Sequence, residues 1–249
     1  MNDEQAHLSR ISTEWDLVFQ AHHGPPEEIS AAQTKLMVRY AGAVHRYLLG
    51  ALRDPELASE LDQEFALRFL RGDLHRADPR RGRFRDFLKR ALRNLMIDHY
   101  RKRQRAPGSI DVSHVPEPAA PDEGPADFDR QFTESWKREL MAQAWAALAR
   151  HQERTGQPLH TVLQHRVRHP KVKSPELATM LSPVLGRPVQ AGWVREAISR
   201  AREQFATALL DGVRASLQEP TREAILEELA DLELLEYCRP TLERRGIIR

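Results

Sequence analysis

Cysteine is nearly absent: Cys238 is the only one in 249 residues, so no intramolecular disulfide can form. Aromatic residues are 6% of the chain, which leaves any core to be built mainly from Leu and Ala, as in many helical proteins. No apolar run approaches the roughly 20 residues that cross a bilayer. The N-terminus is polar and acidic rather than basic and then apolar, which predicts no signal peptide. β-branched residues never alternate convincingly with polar ones, so strands are not expected. A glycine-rich phosphate loop, a Gly-x-Ser-x-Gly elbow and paired carboxylates are all missing, and no acidic metal cluster of the nuclease kind stands beside the arginines. His165 and His169 have the i, i+4 spacing of zinc ligands, but Arg166, Arg168 and Lys171 would repel a cation. These absences predict a soluble, cytoplasmic protein that is no enzyme and carries no cofactor or metal.

What the chain does have is segregated charge. The formal net charge is only +2, yet residues 68–105 hold fourteen Lys/Arg against four Asp, and residues 219–236 hold seven acids against Arg222. That division predicts a polyanion-binding section and a separate acidic tail. Within the basic section, Phe84, Phe87, Leu88, Ala91, Leu92, Leu95 and Met96 recur at i, i+3, i+4, i+7 and i+8, one face of a helix. Arg85, Lys89, Arg90 and Arg93 fall largely outside that stripe, and Arg101, Lys102, Arg103 and Arg105 extend the charge. A cationic helix anchored by an apolar seam suits a nucleic-acid backbone, although a merely solvated face has the same composition.

The coarse reading is helical throughout. A short helix starts at Ser12 or Thr13, a second runs from about Ser30 to Leu52, and Asp54-Pro55 reads as cap and first-turn proline for a third reaching about Leu74. Residues 106–127 interleave five prolines with five acids and read as a linker. Helices resume near Phe128 and again over Leu159–Val167. Ser174-Pro175-Glu176 reads as cap, first-turn proline and first-turn acid of a short helix, and a long helix begins near Gln190 after a turn with Pro183, Gly186 and Pro188. Two helices joined by a turn, the second with outward arginines, form the helix-turn-helix pattern. Beyond them, Leu226, Leu229, Leu232 and Leu235 repeat at i+3 and predict an amphipathic helix in the acidic tail.

The runs Asp62-Gln63-Glu64-Phe65, Asp78-Pro79-Arg80-Arg81-Gly82-Arg83-Phe84-Arg85-Asp86-Phe87-Leu88 and Ala91-Leu92-Arg93-Asn94-Leu95-Met96-Ile97-Asp98 resemble region two of bacterial sigma factors, most closely the extracytoplasmic-function (ECF) type. Ile11-Ser12-Thr13-Glu14-Trp15 and Ala77–Phe84 resemble a branch abundant in planctomycete-like bacteria. The likeness covers residues 11–105, and more loosely 128–217, where residues 174–217 resemble region four. The turn Ser182–Val189 is longer than the family's pattern.

The resemblance implies an all-α protein of two helical domains: region two at 1–105, a Pro/acid-rich linker at 106–127, a region-four-like helix-turn-helix at 128–217, and an acidic extension at 218–249. It implies core RNA polymerase as a partner, through the β′ coiled coil and the β flap, with promoter DNA and an anti-sigma or kinase regulator as further partners and no membrane partner. The polymerase-binding strip falls on Glu60, Leu61, Asp62, Gln63, Glu64, Phe65 and Arg68. The downstream promoter element falls to Arg83, Arg85, Lys89, Arg90, Arg93, Asn94, Asp98, His99, Arg101, Lys102, Arg103 and Arg105. The upstream element falls to Gln190, Ala191, Arg195, Ser199, Arg200 and Arg202. Phe84 is expected in the core, as is Trp193. A stand-alone helix-turn-helix regulator, and a sigma-like adaptor or antagonist that binds polymerase without reading promoters, remain open. A further expectation is that the acidic tail packs on the chain's own basic surface and masks DNA contacts, against the plainer reading of a solvated helix.

Overall fold

The computed structural model describes residues 14–72, 83–104 and 125–248. Among them there are ten helices and no strand. They are α1 Glu14–Gln20, α2 Pro26–Leu52, α3 Pro55–Leu70, α4 Phe84–Gln104, α5 Pro125–Thr155, α6 Leu159–Arg168, α7 Ser174–Val184, α8 Ala191–Ser216, α9 Arg222–Asp231 and α10 Leu235–Arg244. The all-α expectation holds. Ser12, Thr13 and most of the expected linker lie outside the described residues.

Local chemistry sets several boundaries. Asp54 caps α3, its side chain accepting from the amides of Glu56 and Leu57 at 3.0 and 3.1 Å, with Pro55 at the first helical position. At α7 the cap position belongs to Lys173, whose side chain makes no capping bond, and Ser174 is already helical. The expected Ser174 cap is therefore displaced by one residue. The acidic tail is two helices rather than one, because Glu233 adopts φ 54° and breaks the chain direction between α9 and α10.

The chain divides into two compact units, residues 1–139 with 214–232, and residues 140–213 with 233–249. In the first, α2 buries Leu36, Tyr40, Ala43, Val44, Tyr47 and Leu48 along one face. Phe65 and Phe69 of α3 and Phe84 and Leu88 of α4 meet this stripe, and Leu61, Leu92 and Leu95 of the same two helices are buried as well. The N-terminal half of α5 completes the core with Phe132 and Trp136, both 1% exposed. Trp136 stacks on Tyr40 at 5.1 Å and 4°, Phe132 meets Tyr47 edge-on at 5.1 Å, and Phe84 stands 5.1 Å from Tyr40. Phe84 is thus a core residue, as its spacing predicts. Arg46 closes the edge with a 2.6 Å ion pair to Glu139.

In the second unit α8 is the central element, burying Val194, Ala197, Ala201, Phe205 and Leu209. Leu148 of α5, Val162 of α6, Leu177 and Leu181 of α7, and Cys238 and Leu242 of α10 are also fully or almost fully buried. Trp145 and Tyr237 meet Phe205 edge-on at 4.9 and 5.9 Å. Such edge-to-face pairs add about 1 kcal/mol each beyond the area they bury.

Candidate nucleic-acid interface

Helix α4 is amphipathic in the manner its sequence predicts. Its buried stripe leaves Arg90, Arg93, Asn94, Ile97, Arg101, Lys102 and Arg103 exposed. Arg93, Arg101, Lys102 and Arg103 pair with no acid among the described residues. Three of these cations occupy the last turn, where the helix dipole favours positive charge. Arg90 sends its Nε to the Asp86 carbonyl at 3.2 Å. Exposed Ile97 lies between Arg93 and Arg101 along the same face, an apolar spot amid cations that attention to charge alone missed.

Other expected DNA contacts are committed elsewhere. Arg83 pairs with Glu228 and Asp231 at 2.6 Å and with Glu227 at 2.8 Å, and Arg85 pairs with Glu228 and Asp231 at 3.1 Å. Arg85 is 6% exposed and Glu228 is 0% exposed, so these arginines join α9 to the start of α4 and are not open to a phosphate backbone. Lys89 pairs with Asp129 at 3.1 Å. His99 is half-buried and meets Tyr100 edge-on. Arg105 lies outside the described residues.

The acid–arginine cluster is electrostatically divided. Burial pushes the Glu228 carboxyl above its ordinary range, against the pull of Arg85 and Arg83. At Asp231 burial also pushes upward, but the hydrogen bond and charge of Arg83 outweigh it and hold the carboxyl below 3.8. Burial disfavours the Arg83 cation, and Asp231, Glu228 and Glu227 more than restore it, so its pKa rises. Glu228 Oε1 and Arg85 Nε find no hydrogen-bond partner among the described residues.

Residues 36–106 match the family model for Sigma-70 region 2. The chain carries a region-two segment. It spans the latter part of α2, α3 and α4, a little over a quarter of the sequence. No curated protein and no solved structure matches the chain.

On the α3 side of region two, Leu61 and Phe65 are buried, so neither offers apolar area to a partner and both belong to the core instead. The accessible strip is Glu60, Asp62, Gln63, Glu64 and Arg68. Arg68 donates to Glu64 at 2.8 Å and to Asp98 of α4 at 3.0 Å, which joins the expected polymerase strip to the expected DNA face. The Arg68 hydrogen bond lowers the Glu64 carboxyl, whereas burial raises that of Asp62, which sits 3.4 Å from His45.

In the second unit the turn between α7 and α8 is ordered by Ser182. Its hydroxyl donates to the Ala178 carbonyl at 2.8 Å and accepts from the Val189 amide at 3.1 Å, and Gly186 takes the left-handed φ of 62° that the reversal requires. Trp193 is half-buried rather than a core residue. The Arg187 guanidinium lies over its ring at 5.0 Å. Gln190, Arg195, Ser199, Arg200 and Arg202 are exposed and Ala191 is half-buried. His165 Nδ1 donates to the Thr161 carbonyl at 3.0 Å, and no group of three His, Cys, Asp or Glu suited to a metal occurs among the described residues. No described helix is long and apolar enough to cross a membrane.

Residues missed in the sequence are mostly those that meet across long separations. Trp136, Glu139, Glu228 and Asp231 all contact region two from outside its matched span. A buried acid within a predicted amphipathic helix signals such a meeting, but its partner is not readable from spacing.

Proposed function

We propose that this protein is a transcription initiation factor of the ECF sigma type, allied to the planctomycete-like branch, which binds core RNA polymerase and directs it to selected promoters. The region-two match carries this reading, supported by the exposed cationic face of α4. The protein supplies no bond chemistry and works in the cytoplasm, at the nucleoid, through polymerase. Glu60, Asp62, Gln63, Glu64 and Arg68 dock on the β′ coiled coil by charge complementarity. Arg90, Arg93, Arg101, Lys102 and Arg103 neutralise phosphates of the downstream element, while Asn94, Asp98 and Ile97 meet bases or sugars of the opened strand.

The α7–α8 pair acts as the region-four-like helix-turn-helix, contacting the upstream element and the β flap. Gln190 and Ala191 open the reading helix, and Arg195, Ser199, Arg200 and Arg202 follow on it. Two individually weak DNA contacts on one polymerase raise effective concentration and give a specificity that neither has alone. The expected linker 106–127 falls between α4 and α5, both of which contribute to the first unit, and the chain passes to the second unit within α5; an anti-sigma protein or kinase is the expected regulator.

The test is binding of promoter DNA by the chain held on core polymerase, measured across a salt series. Arg93→Gln with Arg101→Gln should weaken binding for all sequences and reduce the slope of log affinity against log salt by about 2. An unchanged slope would remove α4 from the promoter.

A further inference from the structure

The cleft between α8 and α10 in the second unit encloses about 730 Å³, the size of a small-molecule site. Its α8 wall presents Arg195, Ser199 and Arg202 at i, i+4 and i+7, hence on one helix face. Its acids are already matched: Glu203 pairs with Arg244 at 3.3 Å and Glu236 with Arg239 at 2.5 Å. Arg195 and Arg202 pair with no acid among the described residues, so the cleft keeps a net positive charge. Across from them α10 contributes Tyr237, 42% exposed and braced edge-on by Phe205. It also contributes Thr241, whose buried hydroxyl has no hydrogen-bond partner among the described residues.

We infer that this cleft binds a nucleoside di- or triphosphate. Guanidiniums seven residues apart on a helix are separated by about 10 Å along its axis, too far for one carboxylate or phosphate to engage both fully. A chain of phosphates spans that distance, with the Ser199 hydroxyl between the two arginines. The exposed Tyr237 ring offers a planar apolar surface to a base. The volume of the cleft suits a nucleotide. The inference does not depend on the promoter reading, but it shares Arg195, Ser199 and Arg202 with the proposed upstream contacts, so nucleotide and promoter DNA would compete for them.

Calorimetric titration of the full chain with ATP, GTP, inorganic triphosphate and adenosine tests this. ATP or GTP should bind, and Arg195→Gln with Arg202→Gln should weaken that binding at least about tenfold while leaving thermal unfolding unchanged, both side chains being exposed. Tyr237→Leu should weaken the nucleotide and leave triphosphate binding as it was. Absence of any nucleotide binding at millimolar concentration, or binding indifferent to the double substitution, would overturn the inference. Triphosphate binding as tight as the nucleotides, or unaffected nucleotide binding in Tyr237→Leu, would refute recognition of a base. Failure of the chain to bind promoter DNA on polymerase, with nucleotide binding intact, would sink the promoter reading and leave this one standing.

Discussion

Glu228 is the residue on which the two ends of the first unit's sequence meet. It is fully buried, faces Arg83 and Arg85, and leaves one oxygen without a partner. Removing one member of such a cluster strands the opposite charge in a medium that solvates it poorly. Glu228→Ala should therefore destabilise the protein by about 3 kcal/mol, read by chemical denaturation. Asp231 sets the acid response. Its folded pKa is depressed, so its stabilisation is complete above the ordinary carboxylate range and disappears as pH falls through the lowered value. Asp231→Asn should be less stable than the parent at neutral pH, and the gap should close below pH 3.8. A gap constant from neutral to strongly acidic pH would mean that Asp231 does not titrate with folding. Cys238 offers a separate probe. It is 0% exposed and burial pushes its thiol up to about 11, so alkylation should proceed only as fast as the second unit opens.

Helix α4 shows how far a single element is legible in sequence. Its apolar stripe, its exposed cations and the core position of Phe84 all follow from 3.6-residue periodicity, a local property. The fates of Arg83 and Arg85 do not, because their partners lie more than 140 residues away on α9. The same holds for Leu61 and Phe65: spacing shows that they share a face, but whether that face meets the core or a partner depends on the whole bundle. Acids of the tail's first helix pair with Arg83 and Arg85 within a buried cluster. Arg93, Arg101, Lys102 and Arg103 pair with no acid among the described residues. Helix α9 therefore reads as a supporting wall of this unit, burying Ile225 and Leu229. Helix α5 supports the same unit through Trp136. Trp136→Ala should cost about 4 kcal/mol, and a fragment ending at residue 106 should fail to unfold cooperatively. A cooperative transition in that fragment would show that region two stands without α5 and α9.

For the molecule as a whole, the central claim is that a region-two segment and a second helical unit together let polymerase start at chosen sites. The uneven charge distribution predicts a polyanion partner, since residues 68–105 hold fourteen Lys/Arg against four Asp. The proposal that this partner is promoter DNA rests on ordered motifs, and no count of charge could supply it. The most direct test is transcription in vitro from a library of duplex promoters with purified core polymerase. The account predicts that adding this chain produces transcripts from a discrete subset of templates, lost on Arg93→Gln with Arg101→Gln. A chain that binds the core enzyme but starts no transcript from any template, or that never binds it, would contradict the account.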